Sequence, residues 1–398
     1  MNYFKCLIGI VLFGCAASNG NNTGGDTAKA NEHYEIWNSS VDARVPNMLK
    51  YKVDSVSFPR SLEKDGVTRK RPSKDWTCGF YPGSLIQMFH ITGDSIFLDQ
   101  ANLWLPYVEK EQWNAGTHDM GFKVFCSIGE AYKVSKNKHL EEVLLQSAKT
   151  LSTRFNPEVG CIKSWDFGQD RWTYPVIIDN MMNLELLFEA SLISGDSSFH
   201  DIAVSHAENT MQNHYREDNS CYHVLDYNPK TGEVENFLTH QGLNVNSVWS
   251  RGQGWGLYGF TMCYRYTKDE RFLKHAQKIA SFIMNQPNMP EDKVPYWDMH
   301  APKIPNAFRD VSSASIYASA LYELYTYTNE DAYLIYADEI LTSLGNEQYV
   351  LNNIDAPFIL DHSTGDWPKN DEIDTSIAYA DYYFLEAIKR RKSLEINM

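Results

Sequence analysis

Two aspartates are set apart by their neighbours. Asp119 follows His118 and precedes Met120-Gly121, and Asp179 follows the apolar run Val176-Ile177-Ile178 and precedes Asn180. A carboxyl flanked by apolar residues loses hydration, which favours the neutral acid, and a second carboxylate nearby adds to the effect. Two carboxyl groups, one of them kept protonated near neutral pH, are the equipment of glycosidic-bond chemistry. Other chemically able residues occupy comparable positions: Trp76 in Asp75-Trp76-Thr77-Cys78, and Arg251 and Trp255 in Ser250-Arg251-Gly252-Gln253-Gly254-Trp255. Trp76 and Trp255 are of the type that stacks on the apolar face of a sugar ring. Arg251, one turn before Trp255, suits a carboxylate through its paired donors. His223, His240 and Gln241 fall in a long insertion ahead of Arg251, the usual place for loops that meet substrate. Helix capping is an equally good use for any one Asp, and His118 serves either a substrate hydroxyl or the orientation of Asp119. Several such segments converging on one rim form a polar, aromatic pocket.

A repeated helical unit must do the converging. Polar turns recur at Thr92-Gly93-Asp94, Ser135-Lys136, Ser194-Gly195-Asp196, Thr267-Lys268-Asp269 and Thr328-Asn329-Glu330. Before each turn lies a run rich in apolar and small residues (80–91, 121–134, 181–193, 254–266 and 313–327), and a sixth run, 377–388, closes the chain. After each turn comes an amphipathic stretch. A helix apolar nearly all round lies inside, and its amphipathic partner lies outside. The pattern predicts an all-α fold, an (α/α)6 barrel of six helical hairpins in a toroid, with 31–49 supplying the remaining outer helix. The inner helices all run the same way, so the junctions holding Asp75, Asp119, Asp179, Arg251, Asp310 and Asp374 gather at one end. Segments 222–227 and 232–237, around Asn228-Pro229-Lys230-Thr231, read as a β-hairpin. The segment 362–369, before the last inner helix, is the expected subsite for a leaving sugar, and Trp165, Asp166 and Asp170 are expected near the cleft.

Composition bounds the partners. The chain has 398 residues, 43% hydrophobic and 22% charged, with 10 Trp, 24 Tyr and a formal net charge of −15. Such a surface argues against nucleic acid or an anionic membrane as the main partner; a small anionic substrate needs only a local basic pocket. Residues 6–17 form an apolar stretch behind Lys5, too short to cross a bilayer, which takes about 20 residues, but suited to a signal peptide. Leu12-Phe13-Gly14-Cys15 resembles the lipobox of bacterial lipoproteins. The expected organisation is therefore a signal peptide over 1–14, a flexible tether over 15–31 lipidated at Cys15, and a single domain over 32–398, held at the bacterial cell envelope. The other cysteines, Cys78, Cys126, Cys161, Cys221 and Cys263, are odd in number and hold no C-x-x-C pair. Neither a disulfide framework nor a zinc site is suggested.

Lys74-Asp75-Trp76-Thr77-Cys78-Gly79-Phe80, His118-Asp119-Met120-Gly121-Phe122, Asp179-Asn180-Met181-Met182-Asn183, Thr239-His240-Gln241-Gly242, the Trp249 to Trp255 segment and Tyr379-Ala380-Asp381-Tyr382-Tyr383 occur in one order across 35–392. Together they resemble the unsaturated glucuronyl hydrolases, glycoside hydrolase family 88. The resemblance implies an (α/α)6 barrel without metal or other cofactor. It also implies a substrate: oligosaccharides from polysaccharide lyases that carry a 4,5-unsaturated uronic acid at the non-reducing end. In that family the C4=C5 vinyl ether is hydrated, with Asp179 in the position of the general acid and base and Asp119 in that of the second essential carboxylate. Trp76, His118, His223, His240, Gln241, Arg251 and Trp255 are the expected substrate contacts. An unsaturated rhamnogalacturonyl hydrolase shares barrel and chemistry, and His118-Asp119-Met120-Gly121 with Asp179 favours the glucuronyl type. An N-acylglucosamine epimerase would rely on paired His bases, and a non-catalytic glycan-binding lipoprotein would not need paired carboxylates.

Overall fold

A computed structural model describes residues 38–352 and 354–397. The signal peptide, Cys15 and the tether read in the sequence lie outside the described residues, as does the first part of 31–49.

The repeated turn has one physical construction. Each of the first five inner helices ends on a residue in the left-handed region: Gly93 (φ 73°), Lys136 (φ 50°), Gly195 (φ 74°), Lys268 (φ 56°) and Asn329 (φ 53°). The Ser or Thr just before it donates its hydroxyl to the carbonyl four residues back and accepts the backbone N–H two residues on, as Thr92 does with Met88 and Asp94. The next residue then caps the outer helix, Asp94 accepting from Ile96 N, Asn137 from His139 N, Asp196 from Ser198 N and Asp269 from Arg271 N. Hydroxyl, left-handed residue and capping carboxylate or amide form a stop-and-restart signal. Glu330, at the fifth turn, makes no such side-chain cap.

Helices alternate between outside and inside. Short helices α1 (Ser39–Asp42) and α2 (Val45–Lys50) begin the outer layer, and α3 (Phe80–Thr92) is the first inner helix; α4 (Ser95–Asn102) and α5 (Leu105–Glu109) follow. The second inner helix opens as a π-helix, Gly121–Gly129, and continues as α6 (Glu130–Ser135), with α7 (Lys138–Ser152) outside it. The third inner helix starts as a 3-10 turn, Ile178–Asn183, and becomes α8 (Leu184–Ser194), followed by α9 (Ser197–Asn213). The pairs α10 (Ser250–Thr267) with α11 (Glu270–Met284), and α12 (Val311–Thr328) with α13 (Asp331–Leu344), come next, and α14 (Ala378–Asn397) is the sixth inner helix. Every residue of α12 from Val311 to Leu324 is buried, whereas α11 buries Phe272, Leu273, His275, Ala276, Ile279, Ala280 and Ile283, the stripe of a helix covered on one side. The (α/α)6 barrel is the fold. The five cysteines from Cys78 onward are buried and unpaired.

Short sheets decorate the end where the inner helices begin. β1 (Phe58–Leu62) pairs with β2 (Thr68–Arg71), and β3 (Phe155–Asn156) with β4 (Cys161–Ile162). β5 (Pro175–Ile177) pairs with β6 (Val224–Tyr227), which pairs with β7 (Val234–Leu238), so the hairpin read in the sequence gains a third strand leading straight into Asp179. β8 (Ser363–Asp366) and β9 (Asp371–Thr375) form a hairpin within and beyond the segment read as a sugar subsite. The ring closes between its first and last parts, Leu62 N donating to Ser376 O at 3.0 Å.

Candidate active site

Asp179 stands where β5 gives way to the third inner helix, behind the buried Val176, Ile177 and Ile178. Burial pushes its carboxyl up from 3.8 to about 7; nearby Arg251 pulls the other way, and Asp119 adds to the rise. Its Oδ2 is buried without a hydrogen-bond partner while the residue lines a cavity, which leaves Oδ1 as the oxygen at the cavity wall.

Asp119 enters from the neighbouring junction. Its Oδ2 accepts the Thr117 hydroxyl at 2.7 Å, and its Oδ1 lies 3.2 Å from His118 Nε2. His118 Nδ1 is 2.7 Å from the Ser164 carbonyl, which fixes the ring with Nε2 toward Asp119. The two acid-bearing junctions are locked together. Asn183 Oδ1 accepts Phe122 N at 3.1 Å, and Gly121 lies so close that a Cβ there would come within 2.6 Å of Asn183 Cα. The Gly and Asn of the two motifs thus hold Asp119 beside Asp179, and the π-helix begins at that Gly121; π turns are frequent at functional sites.

Trp76, His118, Asp119, Asp179, His240 and Gln241 line one cavity of about 260 Å3. A wider groove of about 580 Å3 adjoins it through Asp371 and Glu372, but among the described residues no aromatic ring or His lines that groove. Trp76 is half-buried, its ring 5.1 Å from that of Tyr379, which also lines the cavity. Trp165 and Phe167 add stacked rings 5.1 Å apart to its lining. His240 lies between two cations, Nδ1 at 3.4 Å from Arg171 and Nε2 at 2.8 Å from Lys369, and burial together with Lys369 lowers its pKa to about 4. Gln241 donates to Gly365 O at 3.1 Å and so ties its loop to β8.

Three of the expected contacts, Trp255, Arg251 and His223, are not among the residues that line this cavity. Trp255 is fully buried and packs against Phe122 and Tyr383, so neither ring face is open to a sugar. Its indole N–H acts as a donor toward the Asp179 carboxyl, though short of a well-formed hydrogen bond, and so sits beneath the acid. Arg251 is 1% exposed, and its guanidinium is occupied: it donates to Asp310 Oδ2 and to Thr364 O, each at 2.8 Å, and to Gly365 O. It holds the β8 strand in place instead of facing the cavity. His223 has both ring nitrogens turned to protein groups and lies behind Asp179. Helical spacing puts Arg251 and Trp255 at the rim but does not say which neighbour claims them. Asp75 and Asp310 are taken by capping, accepting Thr77 N at 3.0 Å and Ser312 N at 3.2 Å. Asp166 pairs with Arg154 at 2.7 Å.

Sequence reasoning missed Arg60 and Glu372, which also line the cavity and pair bidentately at 2.7 and 2.9 Å. Arg60 sits in a short strand, and Glu372 in the acidic run Asp371-Glu372-Ile373-Asp374, which reads as solvated surface. Only closure of the ring brings them together.

Comparison with known proteins agrees with this geometry. The sequence profile of Glycosyl Hydrolase Family 88 matches residues 55–266. An unsaturated glucuronyl hydrolase of Formosa agariphila is 51% identical over 359 residues, covering 89% of this chain and 90% of its own. An unsaturated chondroitin disaccharide hydrolase of Streptococcus pyogenes serotype M1 is 30% identical over 355 residues, covering 86% and 87%. The crystal structure of an unsaturated glucuronyl hydrolase specific for heparin superimposes with a TM-score of 0.87 at 42% identity, covering 91% of this chain and 97% of that one. Profile, relatives and barrel agree: the chain belongs to glycosyl hydrolase family 88, and it is a glycoside hydrolase.

Proposed function

We propose that the protein removes the 4,5-unsaturated uronic acid from the non-reducing end of lyase-generated oligosaccharides by hydrating its C4=C5 double bond, with Asp179 as general acid and then base. The observation that carries this reading is a carboxyl raised to about 7 with one oxygen at the wall of an aromatic cavity. Protonating an alkene carbon at neutral pH needs an acid that still holds its proton there. Asp179 gives that proton to C4, and the positive charge forming at C5 is shared by the ring oxygen. Water then adds at C5 and returns a proton to Asp179, so the enzyme is regenerated. The hemiketal opens, and the neighbouring sugar leaves with its oxygen. Asp119, locked beside Asp179, is the partner that binds sugar hydroxyls and favours the protonated form of the acid. Trp76 offers a stacking face, and His118, His240 and Gln241 complete the wall.

The activities named for the relatives support this substrate class, and the apolar stretch ahead of Cys15 supports a place in the bacterial cell envelope, which labelling of Cys15 by a fatty acid tests. The experiment on function follows the ultraviolet absorbance of the double bond in a panel of unsaturated disaccharides of known linkage and sulfation. The expected result is loss of absorbance with the wild-type protein and a loss at least about 100-fold slower with Asp179→Asn. Near wild-type rates in Asp179→Asn remove the assignment, and binding without loss of absorbance by the wild-type protein favours a glycan-binding role.

A further inference from the structure

The environment of His223 determines where a proton can sit on Asp179. Pairing of β5 with β6 places the two residues side by side, Ile178 N donating to His223 O at 3.1 Å. His223 Nδ1 accepts two backbone N–H groups, those of His240 and Gln241, each at 3.1 Å. A nitrogen accepting two donors carries no hydrogen, so the neutral ring bears its proton on Nε2. Nε2 lies 3.6 Å from Asp179 Oδ2, and both atoms are buried with no other partner. Trp249 packs against the ring, the centroids 4.5 Å apart and the planes tilted by 35°, and so limits its rotation. The ring stays neutral: burial keeps its pKa well below the ordinary value, and the charged forms of His240, Arg251, His214 and Lys369 act in the same direction.

We propose that His223 is a positioning residue which, by presenting an N–H to the buried Oδ2, confines the acidic proton of Asp179 to Oδ1 at the cavity wall. The inference rests on the reading of Asp179 as the acid. Oδ2 facing a donor is the carbonyl-like oxygen of the protonated carboxyl, so the hydroxyl is on the other oxygen. Once the proton has gone to C4, the same N–H closes on the carboxylate and stabilises it while water is activated. The ring also does a second job, because its Nδ1 holds the loop that delivers His240 and Gln241 to the cavity.

Two substitutions separate these jobs. In His223→Asn the amide oxygen replaces Nδ1 and keeps the loop, but no donor reaches Asp179. In His223→Gln the amide nitrogen replaces Nε2 and keeps the donor, but the loop loses its acceptor. The expected result for His223→Asn is a kcat about tenfold lower with KM little changed, and a basic limb of the pH profile moved to higher pH, since losing a donor to the anion raises the pKa of the acid. His223→Gln is expected to recover most of kcat and to raise KM. Nitrogen-15 spectra of the labelled wild-type ring are expected to show hydrogen on Nε2 alone from pH 5 to 8. A His223→Asn enzyme with wild-type kcat and pH profile, beside an inactive Asp179→Asn, overturns the inference, as does a ring protonated on Nδ1. Activity in Asp179→Asn instead removes the underlying acid assignment and leaves the tautomer to the spectra.

Discussion

The two ends of the barrel treat buried charge in opposite ways. Toward the C-terminal ends of the inner helices, ionised groups are paired within a helix or between neighbouring helices. Arg265 meets Glu323 at 2.6 Å, Arg390 meets the same Glu323 at 2.9 Å, and Lys133 meets Glu130 at 2.7 Å. Even the basic run at the end of the last helix is engaged, Arg391 with Asp338 at 2.8 Å and Lys392 with the Ile91 carbonyl at 2.7 Å. The cations around Glu323 hold it at about 2, and Lys133 and Lys389 hold Glu130 well below the usual carboxylate range. At the other end Asp179 Oδ2, His118 Nε2 and His223 Nε2 are buried without well-formed partners, and Asp179 is held near 7. An unpaired polar group costs stability that a paired one does not. One end of the barrel gives up stability to keep a proton available, and the other is closed by charges that cancel.

The largest test of this contrast is Asp179→Asn. It is expected to lower kcat by about 10²- to 10⁴-fold, the usual contribution of a general acid, measured by loss of double-bond absorbance. The same variant has a signature in stability. The folded pKa lies above the unfolded one, so the native state holds a proton that the unfolded chain releases. The cost of Asp179 is absent below about pH 4 and grows as pH rises to about 7. Asp179→Asn is therefore expected to gain in Tm relative to wild type across that window, and an unchanged difference between pH 4 and 8 breaks the comparison. In the wild type, kcat is expected to fall as pH rises through about 7 and the acid ionises.

Next in size is Arg390→Met at the paired end. Leaving Glu386 without its cation, and Glu323 with Arg265 alone, is expected to cost about 3–5 kcal/mol in denaturant unfolding, with kcat of the folded fraction within about twofold because the chemistry lies at the opposite end. The two tryptophans at the acid's end then separate. Trp76→Ala is expected to raise KM by about fivefold through lost stacking, an effect of roughly 1 kcal/mol. Trp255→Phe is expected to leave KM unchanged and to move the basic limb of kcat upward, because a donor to the Asp179 carboxylate is gone. Smallest is Asp94→Ala, which removes a cap in an exposed turn; it is expected to cost about 1 kcal/mol in stability and nothing in kcat.

A raised carboxyl pKa alone does not mark the site. Asp381, in the last inner helix, is also raised to about 7 by burial, yet both its oxygens accept backbone N–H groups, from Leu360 and Ile359, each at 2.9 Å. Asp179 differs in lining the cavity while its buried Oδ2 has no well-formed hydrogen bond. Sequence distinguishes these cases only through neighbours in the chain: apolar residues before Asp179 announce burial, but nothing near Asp381 announces the two donors about 20 residues upstream.

The chain order determined much by itself. Turns such as Thr92-Gly93-Asp94 carry their own stop, reversal and restart in adjacent residues, so hairpin number, the inner or outer place of each helix, and the gathering of Asp119 and Asp179 at one rim follow from local chemistry. Gly121 and Asn183, which lock those two junctions, stand inside the motifs that flagged them. Tertiary structure alone decided how the remaining side chains are used. Arg251 and Trp255 turn inward because Asp310, β8 and Asp179 claim them, Arg60 finds Glu372 across 312 residues, and His223 acts from behind the acid. The physical reason is that helix periodicity and capping are short-range and fixed by sequence spacing, whereas the partner of a long polar side chain depends on which elements the closed ring brings alongside it.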